Sequence, residues 1–166
     1  MNRIRSGGMT LLIVLLITGV TGWSVANGQV SSPGDTAKRF IGTWRLVSIT
    51  TTGKTDPNRG PLPIGLIYYD GTGHMAVQIM PDRLRPKYAG PEPTPDEAKT
   101  AITGYTAYFG TYTIDEGART VTHHRQGNIN PGGLGDFVRR YEFAAGDRLI
   151  LRPLENTNEL TWERIK

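Results

Sequence analysis

The stretch IGLIYYDGTGHMAVQIM, Ile64 to Met80, decides the fold. It reads as two strand segments on either side of Asp70-Gly71, a dipeptide suited to a tight hairpin. The same grammar runs outward in both directions. From Phe40 onward, short segments with period-2 alternation are separated by Gly, Pro, Asp and Asn. Eight are legible: Thr43–Thr51, Ile64–Tyr69, Gly73–Met80, Phe109–Ile114, Ala118–His124, Phe137–Ala144, Arg148–Arg152 and Glu159–Ile165. Gly117 and Gly146-Asp147 mark further turns. Eight short strands joined mostly by hairpins predict a mainly β protein, an antiparallel up-and-down barrel or a sandwich.

One segment departs from the pattern. In PTPDEAKTAITGY, Thr94 is a natural N-cap, Pro95 suits the first helical position and Glu97 completes a capping box. Ala98, Ala101, Ile102 and Tyr105 follow at i, i+3, i+4 and i+7, which predicts one amphipathic helix between the third and fourth strands. Before it runs a loop with five prolines between Pro81 and Pro95, read as a flap.

Parity sets the expected faces. Trp44, Leu46 and Ser48 share a side of the first strand, with Arg45, Val47 and Ile49 opposite. Leu149 and Leu151 oppose Arg148, Ile150 and Arg152. Phe137, Arg139, Tyr141 and Phe143 carry the aromatics of the sixth strand and are turned inward. A slip of one residue inverts any of these assignments.

The 166 residues make a single domain. Residues 1–26 read as a secretory signal: Arg3 and Arg5, an apolar run TLLIVLLITGV, then Ser24-Val25-Ala26 as a small-x-small exit. The run is shorter than the roughly 18 residues that span a bilayer, so an uncleaved N-terminal anchor is the second reading. With cleavage near Ala26 the protein is secreted or periplasmic. No membrane span then remains, residues 27–39 form a polar leader beginning NGQVSSPGD, and 40–166 form the barrel domain. The chain has no cysteine, so a packed core must hold it without disulfides. Of 19 basic residues two go with the signal, which leaves 17 against 15 acidic ones and a formal charge of +2. No Lys/Arg cluster interleaves with aromatics, and nucleic acid is not an expected partner.

FIGTWRLVS, PIGLIYYDGTGHMAVQIM, DEAKTAITGYTAYFGTY, VTHH, and VRRYEF followed by RLIL and LTWERI together resemble the bacterial and fungal lipocalin-like domain family, across nearly all of Phe40 to Lys166. The resemblance implies an eight-stranded calycin-type barrel with one helix. It also implies that Gly42 and Trp44 close one barrel end beneath Arg164 of the last strand. One departure is visible: relatives carry aromatics in the loop after the histidine pair, whereas this chain reads NINPGGLGD.

The pair itself, His123-His124, is split by strand geometry, because neighbours on a strand point to opposite faces. Sharing a face with Val121, His123 is expected inward and His124 outward. The pair therefore cannot chelate one ion, and neither metal nor cofactor is expected. Tyr68, Tyr105, Tyr108, Tyr112 and Tyr141 are expected to converge on one barrel end, where rigid rings with polar tips suit a flat, partly polar molecule. An inward Arg139 would favour an anionic ligand group. The expected ligand-binding set is Tyr68, Tyr108, Tyr112, His123, Arg139 and Tyr141. The expected function is lumenal binding of a small apolar or aromatic molecule, with flap and helix as a partial lid. The alternative is a cofactor-independent isomerase, cyclase or hydrolase with His123 as general acid or base and Tyr112 or Tyr141 donating to an oxyanion. A third reading, a protein partner, calls for an apolar patch on the outer barrel.

Overall fold

The computed structural model describes residues 34–52, 54–55, 58–155 and 157–166. In chain order the elements are α1 (Asp35–Phe40), β1 (Gly42–Thr51), β2 (Lys54–Thr55), β3 (Ile64–Tyr69), β4 (His74–Met80), α2 (Pro95–Ile102), β5 (Thr106–Asp115), β6 (Thr120–Asn128), β7 (Gly135–Ala144), β8 (Arg148–Pro153) and β9 (Asn158–Arg164). The eight long strands pair antiparallel with their neighbours in sequence, and β1 also pairs β9. The sheet therefore closes on itself as an up-and-down barrel, the first of the two folds expected. Strand β2 is only a two-residue ladder folded back on the end of β1. Helix α2 sits between β4 and β5, the third and fourth of the long strands.

Local chemistry sets the turns. Between β3 and β4, Asp70 Oδ1 accepts hydrogen bonds from the Thr72 and His74 backbone N–H groups, each at 2.8 Å, an Asx-type turn that folds the hairpin. Those backbone donors, with the Thr72 hydroxyl, hold the Asp70 carboxyl below its usual range. Between β5 and β6, Asp115 Oδ1 accepts from Ala118 N at 2.8 Å.

Inward residues alternate as expected along β8, where Leu149 and Leu151 are buried, and β9 buries Leu160 and Trp162 in the same alternation. Arg139 and Tyr141 of β7 are buried too. Strand β1 departs from simple parity. Its pairing with β9 shifts between Leu46 and Ser48, a bulge at Val47, so Trp44, Leu46 and then Ile49 are buried while Ser48 leaves the core face. A second bulge at Gln126 lets β6 run on to Asn128. Gly110 of β5 makes room for it, since a Cβ there would run into the His124 carbonyl oxygen.

Helix α2 has the expected capping box: Glu97 N donates to Thr94 Oγ1, and Thr94 N donates to Glu97 Oε2 at 2.8 Å. Its apolar face is a different matter. No residue of α2 is buried and Ile102 is 53% exposed. The helix stops before Tyr105, at Thr103, and is held instead by Arg83 and Arg85, which donate to the Thr100, Ala101 and Thr103 carbonyls of its last turn. Of the expected polar leader, Asp35 to Arg39 lie in α1. The expected signal segment, residues 1–26, lies outside the described residues. No helix among them is long and apolar enough to cross a membrane.

One end of the barrel is plugged. Phe40, fully buried at the end of α1, packs edge-on against Tyr69, Tyr141 and Phe143 with centroids 5.1–5.2 Å apart. Trp44 Nε1 donates to the Phe40 carbonyl at 2.8 Å. Above the Trp44 ring, at 4.0 Å, lies the Arg164 guanidinium, which also donates to the Ile41 and Arg39 carbonyls. An Arg over an indole contributes about 0.5–2 kcal/mol by attraction to the ring face. Gly42 lets the chain pass beneath: its φ is +132°, and a Cβ would sit 2.7 Å from Arg164 Nη1. Gly42→Ala is thus expected to cost about 1–3 kcal/mol from backbone strain and the displaced arginine. Urea unfolding checks it, and a variant within about 0.5 kcal/mol of the parent would refute it.

Candidate functional site

Away from the plug the lumen holds a cavity of about 230 Å³. Its apolar wall includes Ile49, Ile67, Val77, Ile79, Leu160 and Trp162, which come from β1, β3, β4 and β9. The polar residues of the wall are concentrated toward the open end: Arg59, Arg125 and Arg139, with Tyr108, Asn128 and Asn158. Three guanidinium groups line one small cavity, and among the described residues no carboxylate does. The amide oxygens of Asn128 and Asn158 are already engaged. Asn128 Oδ1 accepts from Asn130 N at 2.9 Å, and Asn158 Oδ1 from the Thr51 hydroxyl at 2.6 Å. Arg59 donates to Thr106 Oγ1 at 2.8 Å and Arg125 to the Gly135 carbonyl at 3.2 Å. Arg139 Nη2 donates to the Tyr108 hydroxyl at 2.9 Å, and its guanidinium lies 4.3 Å over the Phe137 ring. Two buried wall donors, Arg139 Nε and Trp162 Nε1, have no acceptor among the described residues.

Beneath this wall His123 is fully buried between two tyrosines, with Nε2 2.8 Å from Tyr69 Oη and Nδ1 2.8 Å from Tyr108 Oη. Burial, and next the positive charges of Arg139 and Arg125, push the His123 pKa well below that of a free histidine. The ring is therefore neutral and carries one N–H. Hydrogen-bond accounting places it. Tyr69 is itself fully buried and burial pushes its hydroxyl pKa well up, so the O–H stays protonated and must find an acceptor. Among the described residues its only partner is His123 Nε2. Tyr69 therefore donates to Nε2, the His123 proton sits on Nδ1, and Nδ1–H donates to Tyr108. Tyr108 Oη then accepts twice, from His123 and from Arg139, and its own O–H is left for the cavity. The opposite tautomer would strand the Tyr69 hydroxyl hydrogen in the dry core, at a cost of about 1–3 kcal/mol.

The expected site residues separate into three places. Tyr108, His123 and Arg139 come together as described, with His123 behind the cavity wall rather than on it. Tyr112 and Tyr141 belong to the plug: Tyr112 donates to the Asp70 carbonyl at 2.7 Å and packs on Tyr69, while Tyr141 packs on Phe40. Tyr68 is 46% exposed on the outer face. Tyr105 is also outside, bonded to Gln78 beneath Arg85. His124 turns outward to Asp136, 2.6 Å away. A larger hollow of about 880 Å³ lies on the outside of the barrel against Leu66, Tyr68 and Phe109, open to solvent. Neither the flap nor α2 lines the lumenal cavity. Among the described residues no three His, Asp or Glu side chains gather to hold a metal.

Arg125, Tyr69 and Trp162 were not among the expected site residues. Arg125 had a signal, being two residues beyond His123 on the same face of a strand that runs past His124 to Asn128. Tyr69 likewise shares parity with Ile67.

Against known proteins, residues 41–165 match the family described as lipocalin-like domain. No curated protein matches the chain.

The depressed His123 pKa links to stability. Below about pH 6.5 the unfolded chain takes up a proton at this position that the folded chain refuses. Folding stability from this group is therefore complete above that pH and falls on acidification, by at most about 1.4 kcal/mol per pH unit, until the folded-state pKa is reached. His123→Gln is expected to remove that slope between about pH 6.5 and 5. Urea midpoints of parent and variant across this window measure it, and parallel pH profiles would refute the assignment.

Proposed function

This chain belongs to the lipocalin-like domain family, and on that footing we propose that it is an exported protein that binds a small, partly apolar or aromatic molecule in its lumen. The observation that carries this reading is the cavity of about 230 Å³ between the aromatic plug and the open end, apolar on one side and polar on the other. Its volume is below the roughly 300–1,000 Å³ of sites for drug-sized ligands, which suits a single ring or a short chain. Tyr108 and Arg139 are the wall residues assigned to the ligand. His123 acts one step removed: with both ring nitrogens engaged by tyrosines, it orients Tyr108 rather than exchanging a proton with a bound molecule. Tyr112, Tyr141 and Phe40 set the floor beneath the cavity. Export rests on the N-terminal sequence alone.

Two measurements test this reading. Ile79→Trp fills the lumen from β4 and is expected to abolish binding of a small aromatic probe, read by quenching of Trp162 fluorescence in the parent and by calorimetry in the variant. Unchanged affinity in the variant would move the site out of the lumen. For export, intact-mass analysis of the protein from its own host is expected to find a chain starting near Asn27. A chain starting at Met1 or Asn2 would favour the anchor.

A further inference from the structure

Resting on the lumenal reading above, we infer that the ligand is a small organic carboxylate, its anionic head held by Arg139 and Tyr108 and its apolar body lying against Ile67, Ile79 and Leu160. The argument comes from what the wall leaves unspent. Every acceptor named on it is taken, while Arg139 Nε, Trp162 Nε1 and the Tyr108 O–H, by the tautomer derived for His123, point to no protein acceptor among the described residues. Buried donors without a protein acceptor are complementary to an acceptor on a ligand. The charges agree. Arg139 is 6% exposed, lines the same cavity as Arg59 and Arg125, and meets no carboxylate among the described residues. A buried cation without a counter-charge is costly, and an anion brought by the ligand supplies the one that Arg139 lacks among the described residues.

The geometry also suits a carboxylate in detail. A guanidinium and a hydroxyl 2.9 Å apart present adjacent donors, and charge-assisted bonds to a carboxylate are the stronger kind. Tyr108 is fixed as a donor because His123 Nδ1–H and Arg139 Nη2–H occupy its oxygen. Trp162 Nε1, on the apolar wall of the same cavity, is left for a further acceptor, such as a hydroxyl or carbonyl of the ligand. At about 230 Å³ the body is limited to something like a phenyl-substituted or medium-chain acid.

The test uses purified protein stripped of ligand by unfolding and refolding, titrated calorimetrically with phenylacetate, cinnamate and octanoate, each beside its primary amide. The acids are expected to bind about 10- to 100-fold more tightly than the amides. That preference is expected to survive high salt, since a buried pair is little screened. Arg139→Gln is expected to bring acid and amide within about threefold, and Tyr108→Phe to weaken the acids about 10-fold with little effect on the amides. Near-UV circular dichroism reports the fold of each variant. Because Arg139→Gln removes a buried unpaired charge, its unliganded melting temperature is expected to equal or exceed the parent's. Equal affinity for acid and amide in the parent, or equal loss of both in Arg139→Gln, overturns the carboxylate assignment and leaves lumenal binding standing. If the acids and the amides all fail to bind, the binding reading itself falls.

Discussion

Everything in this barrel depends on how Arg164 closes it. One guanidinium lies on the Trp44 indole and donates to two carbonyls of the segment that enters β1, so the last strand, the first strand and α1 meet at a single side chain. That contact fixes where the chain enters, and Phe40 is thereby delivered into the lumen with Tyr69, Tyr141 and Phe143 around it. An eight-stranded barrel has an interior just wide enough for side chains to fill or for one small ligand. With aromatic rings spent on one end, the free volume is displaced to the other. The position of the cavity is thus a consequence of the position of the plug.

Between plug and cavity lies His123, and its chemistry is set by what it is denied. Among the described residues it meets no carboxylate, only two phenols and two nearby cations. A histidine in that setting does not titrate near neutrality. It becomes a fixed dipole that transmits orientation from the core to the cavity wall. Tyr69 anchors one side because it has nowhere else to donate, and Tyr108 responds on the other. The arrangement is a chain of consequences from burial to tautomer to the direction of a single hydroxyl hydrogen.

Strand parity and turn chemistry carried the fold, and they also carried the parts of the site that lie ahead of any break in their strand. His123 follows from Val121, and Arg139 from the aromatic face of β7. Parity fails where the count of residues is broken. The bulge at Val47 exchanges Ser48 for Ile49, and that at Gln126 extends β6 through a glycine that reads as loop, which hides Arg125. The tyrosines fail for a different reason. Composition gathers them, but Tyr68 and Tyr69 are neighbours and therefore face apart, and Tyr112 lies four residues beyond Tyr108, far enough along β5 to reach the plug. In α2 the apolar period is present and the packing is not, because arginines gripping its terminal carbonyls hold it without burying any of its residues. Periodicity records what a helix offers, and only the tertiary surroundings decide whether it is taken.

The pairing of β1 with β9 joins Trp44 to Arg164 and Thr51 to Asn158, partners more than a hundred residues apart in the chain. Seven of the eight pairings between long strands join neighbours in sequence, yet the cylinder has an open seam until the seven residues of β9 arrive. Such a closure has high contact order and its loop entropy is met before its contacts repay it. During synthesis the edge of β1 therefore waits, unpaired along most of its length, for the end of the chain. The bulge at Val47 lies on that waiting edge, where a break in the ladder makes the strand a poor template for pairing with another chain.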